Sequence, residues 1–220
     1  MGRLIAFDLD GTLVDSRRDL ADAANSLITE RGGAPLSEDA IGRMVGEGAA
    51  LLVDRALLAA GIVNRGDALQ RFLELYDEGL LNNTRAYDGI EHAVEAARRV
   101  ARVAVLTNKP SHATERVLAG LGLRHLFADV IGGDSTFPRK PDPASLQDLM
   151  RRASAHAGTT LLVGDSAVDY ETARRADARC CLASYGFGFE TFPMERLTGE
   201  EWIVRSPAEL PEVFARFMAA

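Results

Sequence analysis

Hydrophobic and polar positions follow two different patterns along this chain. Short apolar runs of strand length, beginning with Leu4-Ile5-Ala6-Phe7, stop abruptly at polar residues. Between these runs, apolar residues recur every three or four positions, which is the spacing of one face of a helix. Runs that are apolar throughout are typical of strands buried on both faces. The pattern therefore predicts an α/β protein built on a doubly wound parallel sheet.

One long stretch contains no convincing strand. From Ser16 to about Thr84 the pattern is helical, and Ser16 is the predicted cap of the first helix. Such a stretch is unusual inside a regular β-α-β alternation, which resumes only after it. We therefore predict a core domain formed by residues 1–15 and 85–220, with an inserted all-helical cap domain at 16–84.

The end of the first predicted strand carries the sequence Asp8-Leu9-Asp10-Gly11-Thr12. In α/β proteins the carboxyl ends of the strands open onto the crevice where ligands bind. Two carboxylates at this edge can hold a hard cation such as Mg²⁺. One of them can also act as a nucleophile, because aspartate can carry a covalent phosphoryl group. A polar turn would explain Asp, Gly and Thr, but it does not require the second aspartate.

Three more polar clusters follow strand or loop ends. They are Thr107-Asn108-Lys109, Lys140, and Asp165 with Asp169. Each alone has an ordinary explanation as a turn, a solvated loop lysine or an acidic helix start. Because parallel strands bring their carboxyl ends to one edge, the set in this order indicates a single site.

These four clusters resemble the four sequence motifs of phosphatases in the haloacid dehalogenase superfamily, and the resemblance covers nearly the whole chain. Four segments are similar to the phosphoglycolate phosphatase branch: 106–110, 132–134, 139–143 and the cap stretch 45–57. One position departs from the family pattern. Asp177 stands where the family commonly has glycine, at a helix end where a left-handed backbone is expected.

The resemblance implies a Rossmann-like core and a Mg²⁺-dependent phosphatase that works through an aspartyl-phosphate. Asp8 would be the nucleophile, Asp10 the general acid and base, and Lys140 a positive charge for the phosphate. Asp8, Asp165 and the backbone carbonyl of Asp10 would bind the metal. The branch favours hydrolysis of 2-phosphoglycolate to glycolate and phosphate.

The same resemblance implies a set of substrate-binding residues. Thr107 and the backbone at Asn108 would hydrogen-bond the phosphate, and Gly11 would allow the backbone to approach it. The carboxylate of 2-phosphoglycolate needs donors from the cap. Arg43 and Arg55 are the candidates, together with backbone amides of the 46–48 stretch.

Composition limits the partners. The 220 residues carry a formal net charge of -7 and contain no long basic run, which argues against nucleic acid or an anionic membrane as the main partner. A small phosphorylated metabolite is the expected partner. No apolar run of transmembrane length and no signal-peptide pattern are seen, so a cytoplasmic location is predicted. The sequence does not indicate an oligomeric state.

Several alternatives share this fold. Another small-phosphate phosphatase, acting on a sugar phosphate or pyrophosphate, or a mutase resembling β-phosphoglucomutase would differ in the cap. A dehalogenase uses the nucleophile without metal and would not need Asp10. A non-catalytic binding or regulatory module could dispense with Asp8, Asp10 and Lys140, yet all three are present.

Overall fold

The computed structural model describes residues 2–63 and 66–219. The described chain contains eight strands: β1 Leu4–Phe7, β2 Val14–Asp15, β3 Arg85–Ala86, β4 Arg102–Leu106, β5 Asp129–Ile131, β6 Thr160–Gly164, β7 Arg179–Ala183 and β8 Trp202–Val204. It also contains nine α-helices: α1 Arg17–Glu30, α2 Glu38–Gly42, α3 Ala49–Ala59, α4 Ala68–Gly79, α5 Ile90–Arg98, α6 Ser111–Gly120, α7 Ala144–Arg152, α8 Ala167–Arg175 and α9 Leu210–Ala219.

Six of the strands form one parallel sheet in the order β5-β4-β1-β6-β7-β8. The chain moves outward from β1 to β4 and β5, then returns to the other side of β1 and continues outward through β6, β7 and β8. This return creates a switch point beside β1, where open α/β sheets bind their ligands. Phe7 is level with Val105 of β4 and Val163 of β6, so these three strands end at the same edge.

Strand β1 is the centre of the hydrophobic core, and all four of its residues are completely buried. Ile5 and Phe7 face one layer of apolar side chains, while Leu4 and Ala6 face the other. Burial of one such large side chain stabilises the fold by roughly 1.5–3 kcal/mol. The prediction of a doubly wound parallel sheet with helices on both faces is confirmed.

The helices α1 to α4 fill the stretch in which no long strand was predicted, and they pack on one another. The chain enters and leaves this segment through a short antiparallel ribbon, in which Val14 pairs with Ala86 and Asp15 with Arg85. The ribbon lies at both predicted boundaries of the insertion. It supports the division into core and cap, which we retain as a proposal.

One local prediction is wrong. Ser16 precedes α1 but its side chain makes no capping hydrogen bond. Its hydroxyl is buried and donates instead to Oδ1 of Asp10 at 2.6 Å, while Asp15 Oδ1 accepts from the backbone N–H of Arg17. The helix start is therefore tied to the end of β1. By contrast, Asp177 adopts the left-handed backbone expected of it, with φ 53°.

Within the described ranges, no helix combines the length and the apolar character needed to cross a membrane.

Candidate active site

The site begins at Asp8, the residue directly after β1. Its backbone N–H donates to the carbonyl of Val163 at 2.9 Å, which fixes Asp8 at the edge of the sheet. The Nζ atom of Lys140 lies 2.9 Å from Asp8 Oδ1 and 2.6 Å from Asp169 Oδ1. All three side chains are buried. Residues predicted from separate motifs thus meet at one point.

A cluster of three carboxylates lies at this point. Oxygen atoms of Asp8, Asp165 and Asp169 all lie within 4.8 Å of one another. Burial and the nearby charge of Asp169 raise the pKa of Asp8 to about 6, although Lys140 opposes this shift. Burial and the charges of Asp169 and Asp8 raise the pKa of Asp165 well above its usual range. If all three were ionised, the carboxylates would carry more negative charge than Lys140 neutralises, and their repulsion therefore favours the protonated forms of Asp8 and Asp165.

This carboxylate cluster has the properties of a site for a hard divalent cation. Its donors are all oxygen, and they are close enough for one ion to contact several of them. Asp8 Oδ1 is buried without a well-directed hydrogen bond from any residue that the structure describes. A cation would relieve the repulsion that raises the pKa values of Asp8 and Asp165. The residues present therefore fit a bound Mg²⁺.

Glycines surround Asp165 and let it approach the backbone. The N–H of Gly188 donates to Asp165 Oδ2 at 2.7 Å. Gly11 has φ +84°, and a Cβ atom at that position would lie 1.8 Å from Asp165 Oδ2. Gly11 was predicted to bind substrate through its backbone. The structure gives it a second requirement, which is the space taken by the Asp165 carboxylate.

Asp169 holds two parts of the site together. Its Oδ1 accepts from Lys140, and its Oδ2 accepts from the N–H and hydroxyl of Ser166 at 3.1 and 2.5 Å. Ser166 in turn caps the start of α8 by accepting from the N–H of Asp169. The sequence left the role of Asp169 open. The Ser-x-x-Asp spacing of a capping box was the signal that could have indicated it.

Asp10 is held by a different set of partners. Besides the Ser16 hydroxyl, Lys109 Nζ lies 3.0 and 3.1 Å from its two carboxylate oxygens. Lys109 also donates to the hydroxyl of Tyr76 on α4 at 2.6 Å. Burial lowers the pKa of Lys109, but Asp10 and Tyr76 raise it more, so the net shift is upward. The sequence placed Lys109 in the Thr107-Asn108-Lys109 cluster but assigned it no role at the site.

Asn108 connects the core to the helical segment. Its side-chain amide donates to the carbonyls of Gly46 and Lys140 at 3.0 and 2.9 Å, and it accepts from the N–H of Lys140 at 2.9 Å. The Thr107 hydroxyl accepts from the N–H of Lys109 at 3.2 Å. Asn108 therefore fixes the backbone at Lys140, while its role in substrate binding stays a prediction.

A small cavity of about 40 Å³ lies between the sheet edge and the helices. The polar part of its wall is formed by Asp8, Asp10, Tyr76, Thr107, Asn108 and Lys109. The apolar part comes from Leu20, Val45, Ala49, Leu52, Phe72, Leu73 and Pro110, with Gly46 and Gly48 between them.

The two predicted cap arginines do not line this cavity. Arg43 is exposed at the end of α2. Arg55 forms an ion pair with Glu47 at 2.5 Å, and both side chains are partly exposed. The structure thus brings together Asp8, Asp10, Gly11, Thr107, Asn108, Lys140 and Asp165, whereas Arg43 and Arg55 are not part of the cavity lining. Their substrate-binding role stays a prediction.

Comparison with known proteins identifies the family to which the chain belongs. The family model of haloacid dehalogenase-like hydrolases matches residues 5–183. The chain therefore belongs to the haloacid dehalogenase-like hydrolases.

Individual relatives narrow this class. The chain is 43% identical over 199 residues to a phosphoglycolate phosphatase of Rhodospirillum rubrum, covering 86% of this chain and 83% of the relative. It is 37% identical over 220 residues to one of Cereibacter sphaeroides, covering 98% and 99%. A crystal structure of a predicted phosphoglycolate phosphatase from Haemophilus somnus superposes with a TM-score of 0.89 at 30% identity, covering 97% and 98%. The resemblance to phosphoglycolate phosphatase is thus confirmed, and the chain is a phosphoric monoester hydrolase.

Proposed function

We propose that this enzyme hydrolyses 2-phosphoglycolate to glycolate and phosphate through an aspartyl-phosphate formed on Asp8. The observation that carries the proposal is the convergence of Asp8, Lys140, Asp165 and Asp169 at the switch point, beside a small cavity. The relatives named phosphoglycolate phosphatase support the substrate.

The first half of the reaction transfers the phosphoryl group. A carboxylate oxygen of Asp8 attacks phosphorus, and the bond from phosphorus to the ester oxygen breaks. Lys140, 2.9 Å from Asp8, offers positive charge to the phosphoryl oxygens. A protonated Asp10 gives its proton to the leaving oxygen, which becomes the hydroxyl of glycolate.

The second half restores Asp8. The Asp10 carboxylate takes a proton from a water molecule as that water attacks the phosphorus of the aspartyl-phosphate. Phosphate leaves, and the Asp8 carboxylate is free again. Lys109 and Ser16 hold both oxygens of Asp10, so the carboxylate keeps its direction through the two steps.

Mg²⁺ is the proposed cofactor. Asp8 and Asp165 would hold it, with Asp169 beside them and the backbone carbonyl of Asp10 as a further ligand. When bound, the ion would supply charge that reduces the repulsion between the Asp8 carboxylate and the phosphate. The buried, closely spaced carboxylates support this assignment.

The helical segment 16–84 is the proposed cap, which would exclude water and select the leaving group. Its side chains form most of the apolar wall of the cavity.

A phosphate-release assay over a panel of phosphomonoesters, with and without Mg²⁺, tests the proposal. We expect the highest kcat/KM for 2-phosphoglycolate, ahead of hexose phosphates and pyrophosphate. Preference for a sugar phosphate or pyrophosphate would refute the substrate and leave the phosphatase standing. Interconversion of sugar phosphates with little free phosphate would identify a mutase instead.

A further inference from the structure

The cavity wall holds a buried cation whose only role in the proposed reaction is to orient Asp10. The side chain of Lys109 is only 3% exposed, and its Nζ atom contacts Asp10 and Tyr76. Lys140, the other buried lysine of the site, is engaged by Asp8 and Asp169. Since Asp10 is the proposed acid for the leaving oxygen, the charge of Lys109 lies on the leaving-group side of the site.

Tyr76 adds a second polar group at the same place. Tyr76 extends from α4 and is 3% exposed, and the centroid of its ring lies 4.5 Å from Lys109 Nζ. Its hydroxyl accepts from Lys109, but no acceptor for the hydroxyl proton is found in the part of the chain that the structure describes. A buried donor without an acceptor is costly, and this one lies on the wall of the cavity.

The geometry matches one kind of leaving group. An ester oxygen that takes a proton from Asp10 lies within hydrogen-bond distance of that carboxylate, and Lys109 Nζ is 3.0 Å from the same carboxylate. In a phosphate ester of the form O–CH₂–COO⁻, a carboxylate oxygen is three bonds from the ester oxygen, roughly 3 Å away. The carboxylate of such a substrate would therefore reach Lys109 and Tyr76.

Charge makes Lys109 necessary for such a substrate. A carboxylate entering beside Asp10 would meet another negative charge in a partly buried site, where repulsion is poorly screened. Lys109 has three N–H donors, which now serve the two oxygens of Asp10 and the Tyr76 hydroxyl. One Asp10 contact can pass to the substrate while the other remains, and the Tyr76 hydroxyl can donate its free proton.

We propose that Lys109 and Tyr76 form the subsite that recognises the carboxylate of the leaving group, so that the enzyme selects short phosphomonoesters with a carboxylate on the carbon next to the ester. This inference rests on the proposed function and names the residues behind its specificity. It assigns to the core and α4 the contact that sequence reasoning assigned to Arg43 and Arg55.

Two substrates of equal length test this subsite. The kcat and KM values for 2-phosphoglycolate and 2-hydroxyethyl phosphate are measured for the parent enzyme, Lys109→Met, Lys109→Arg and Tyr76→Phe. Loss of a charge-assisted contact predicts that Lys109→Met lowers the preference for 2-phosphoglycolate about 50-fold, mainly through KM. Tyr76→Phe should lower it about 5-fold, and Lys109→Arg should keep most of it. The second substrate reports any general damage to catalysis.

Each outcome distinguishes this subsite from an alternative. An equal loss for both substrates, carried by kcat, would mean that Lys109 only positions Asp10. A carboxylate-specific loss in Arg43→Ala or Arg55→Ala, with none in Lys109→Met, would move the subsite to those arginines. If circular dichroism shows that Lys109→Met does not fold, Tyr76→Phe and Lys109→Arg replace it, because both preserve packing. A loss confined to 2-phosphoglycolate in Tyr76→Phe then supports the subsite, and an equal loss for both substrates refutes it. A parent enzyme with no preference for 2-phosphoglycolate would refute the proposed substrate itself, whereas a preference that survives Lys109→Met would refute only the subsite.

Discussion

The two walls of the cavity are built in opposite ways. The wall formed by the sheet edge carries Asp8, Asp10, Thr107, Asn108 and Lys109. Behind it, Asp8 lies in contact with Lys140 and close to Asp165 and Asp169. The opposite wall is formed by helices α1, α3 and α4 together with the loop 45–48, and its side chains are apolar except for Tyr76. Phosphate and a divalent cation need the first kind of surface, whereas selection of a leaving group needs a shaped surface with few polar contacts.

This difference separates chemistry from selection. The charged wall is held rigidly by strand ends, a capping box and a glycine cradle, so it can serve any phosphomonoester. The helical wall meets it through few polar contacts, among them Asn108 with Gly46 and Lys109 with Tyr76. Changes in the charged wall should therefore affect all substrates, and changes in the contacts between the walls should affect some more than others.

The largest effect is expected at the nucleophile. Asp8→Asn should lower kcat by about three orders of magnitude or more for every substrate, because an amide cannot form the aspartyl-phosphate. The folded protein should become slightly more stable without metal, since one of three crowded carboxylates is gone. Steady-state kinetics and thermal unfolding measure the two effects. Near-normal turnover in a sample shown by mass spectrometry to be free of deamidation would refute the mechanism.

Removal of the metal should have the second largest effect on activity. Excess chelator should lower kcat by about 100-fold or more, and added Mg²⁺ should restore it, because the carboxylate cluster then repels the phosphate. Ca²⁺ should inhibit, since its larger and looser coordination sphere lets Asp8 bind it through both oxygens. The attacking oxygen is then misaligned with the phosphorus. Phosphate release under each condition is the measurement. Full activity in chelator would revive the metal-free dehalogenase alternative.

Breaking the link between the walls should have an intermediate effect. Asn108→Ala removes the contact to Gly46 and both contacts to Lys140, and should lower kcat/KM about 10- to 100-fold through misplaced groups. Asn25→Ala is the matched control, because Asn25 makes a similar pair of hydrogen bonds to the backbone of Leu36 away from the cavity. Equal kinetic losses in both variants would contradict a specific role for Asn108.

The entry to the helical segment depends on one buried carboxylate. Asp19 accepts from the backbone N–H groups of Asn83 and Thr84 and from both of their side chains. Asp19→Ala leaves these donors unpaired and should lower the free energy of unfolding by roughly 3 kcal/mol. Chemical denaturation measures the loss. Asp22→Ala, at an exposed position on the same helix, should change it by less than about 0.5 kcal/mol.

Because of Asp19, the free energy of unfolding should also depend on pH. Burial raises the pKa of Asp19, but its hydrogen bonds with Thr84 and Asn83 lower it more, so the net pKa is below the usual 3.8. A group with a lowered folded pKa contributes stability above its unfolded pKa and loses it as pH falls through the folded value. The parent should therefore lose stability below about pH 4 more steeply than Asp19→Ala. Parallel slopes in acid would contradict this assignment.

The smallest effect is a pH dependence of opposite sign in the charged wall. The pKa of Asp8 is raised from 3.8 to about 6, so the folded protein binds more protons than the unfolded chain between these values. Without metal, the free energy of unfolding should therefore have a component that falls as pH rises through this window. Thermal unfolding in chelator should show this component, and Asp8→Asn should lack it. Stabilisation by Mg²⁺ should be larger at pH 7.5 than at pH 5, because the ion binds ionised carboxylates.

Much of the charged wall could be predicted because it depends on local pattern. Apolar runs that end in Asp8, Thr107 and Asp165 predict strand ends, and the geometry of a parallel sheet brings strand ends to one edge. The order of the motifs, by its resemblance to a known family, then indicated the roles. Even the left-handed backbone at Asp177 followed from its place at a helix end. The strand Trp202–Val204 was missed because it is short and partly exposed at the sheet edge.

The contacts between the walls were decided only by the tertiary structure. Sequence spacing cannot tell which cation of the cap or core faces the cavity, because helix orientation depends on packing against distant residues. Thus Arg43 and Arg55 do not line the cavity, while Lys109 contacts Tyr76, 33 positions earlier in the chain. Ser16 likewise binds Asp10 instead of capping its helix, because tertiary packing brings its buried hydroxyl to the Oδ1 atom of Asp10. The sequence by itself determined the sheet and its charged edge through local periodicity, whereas long-range packing determined which side chains complete the cavity.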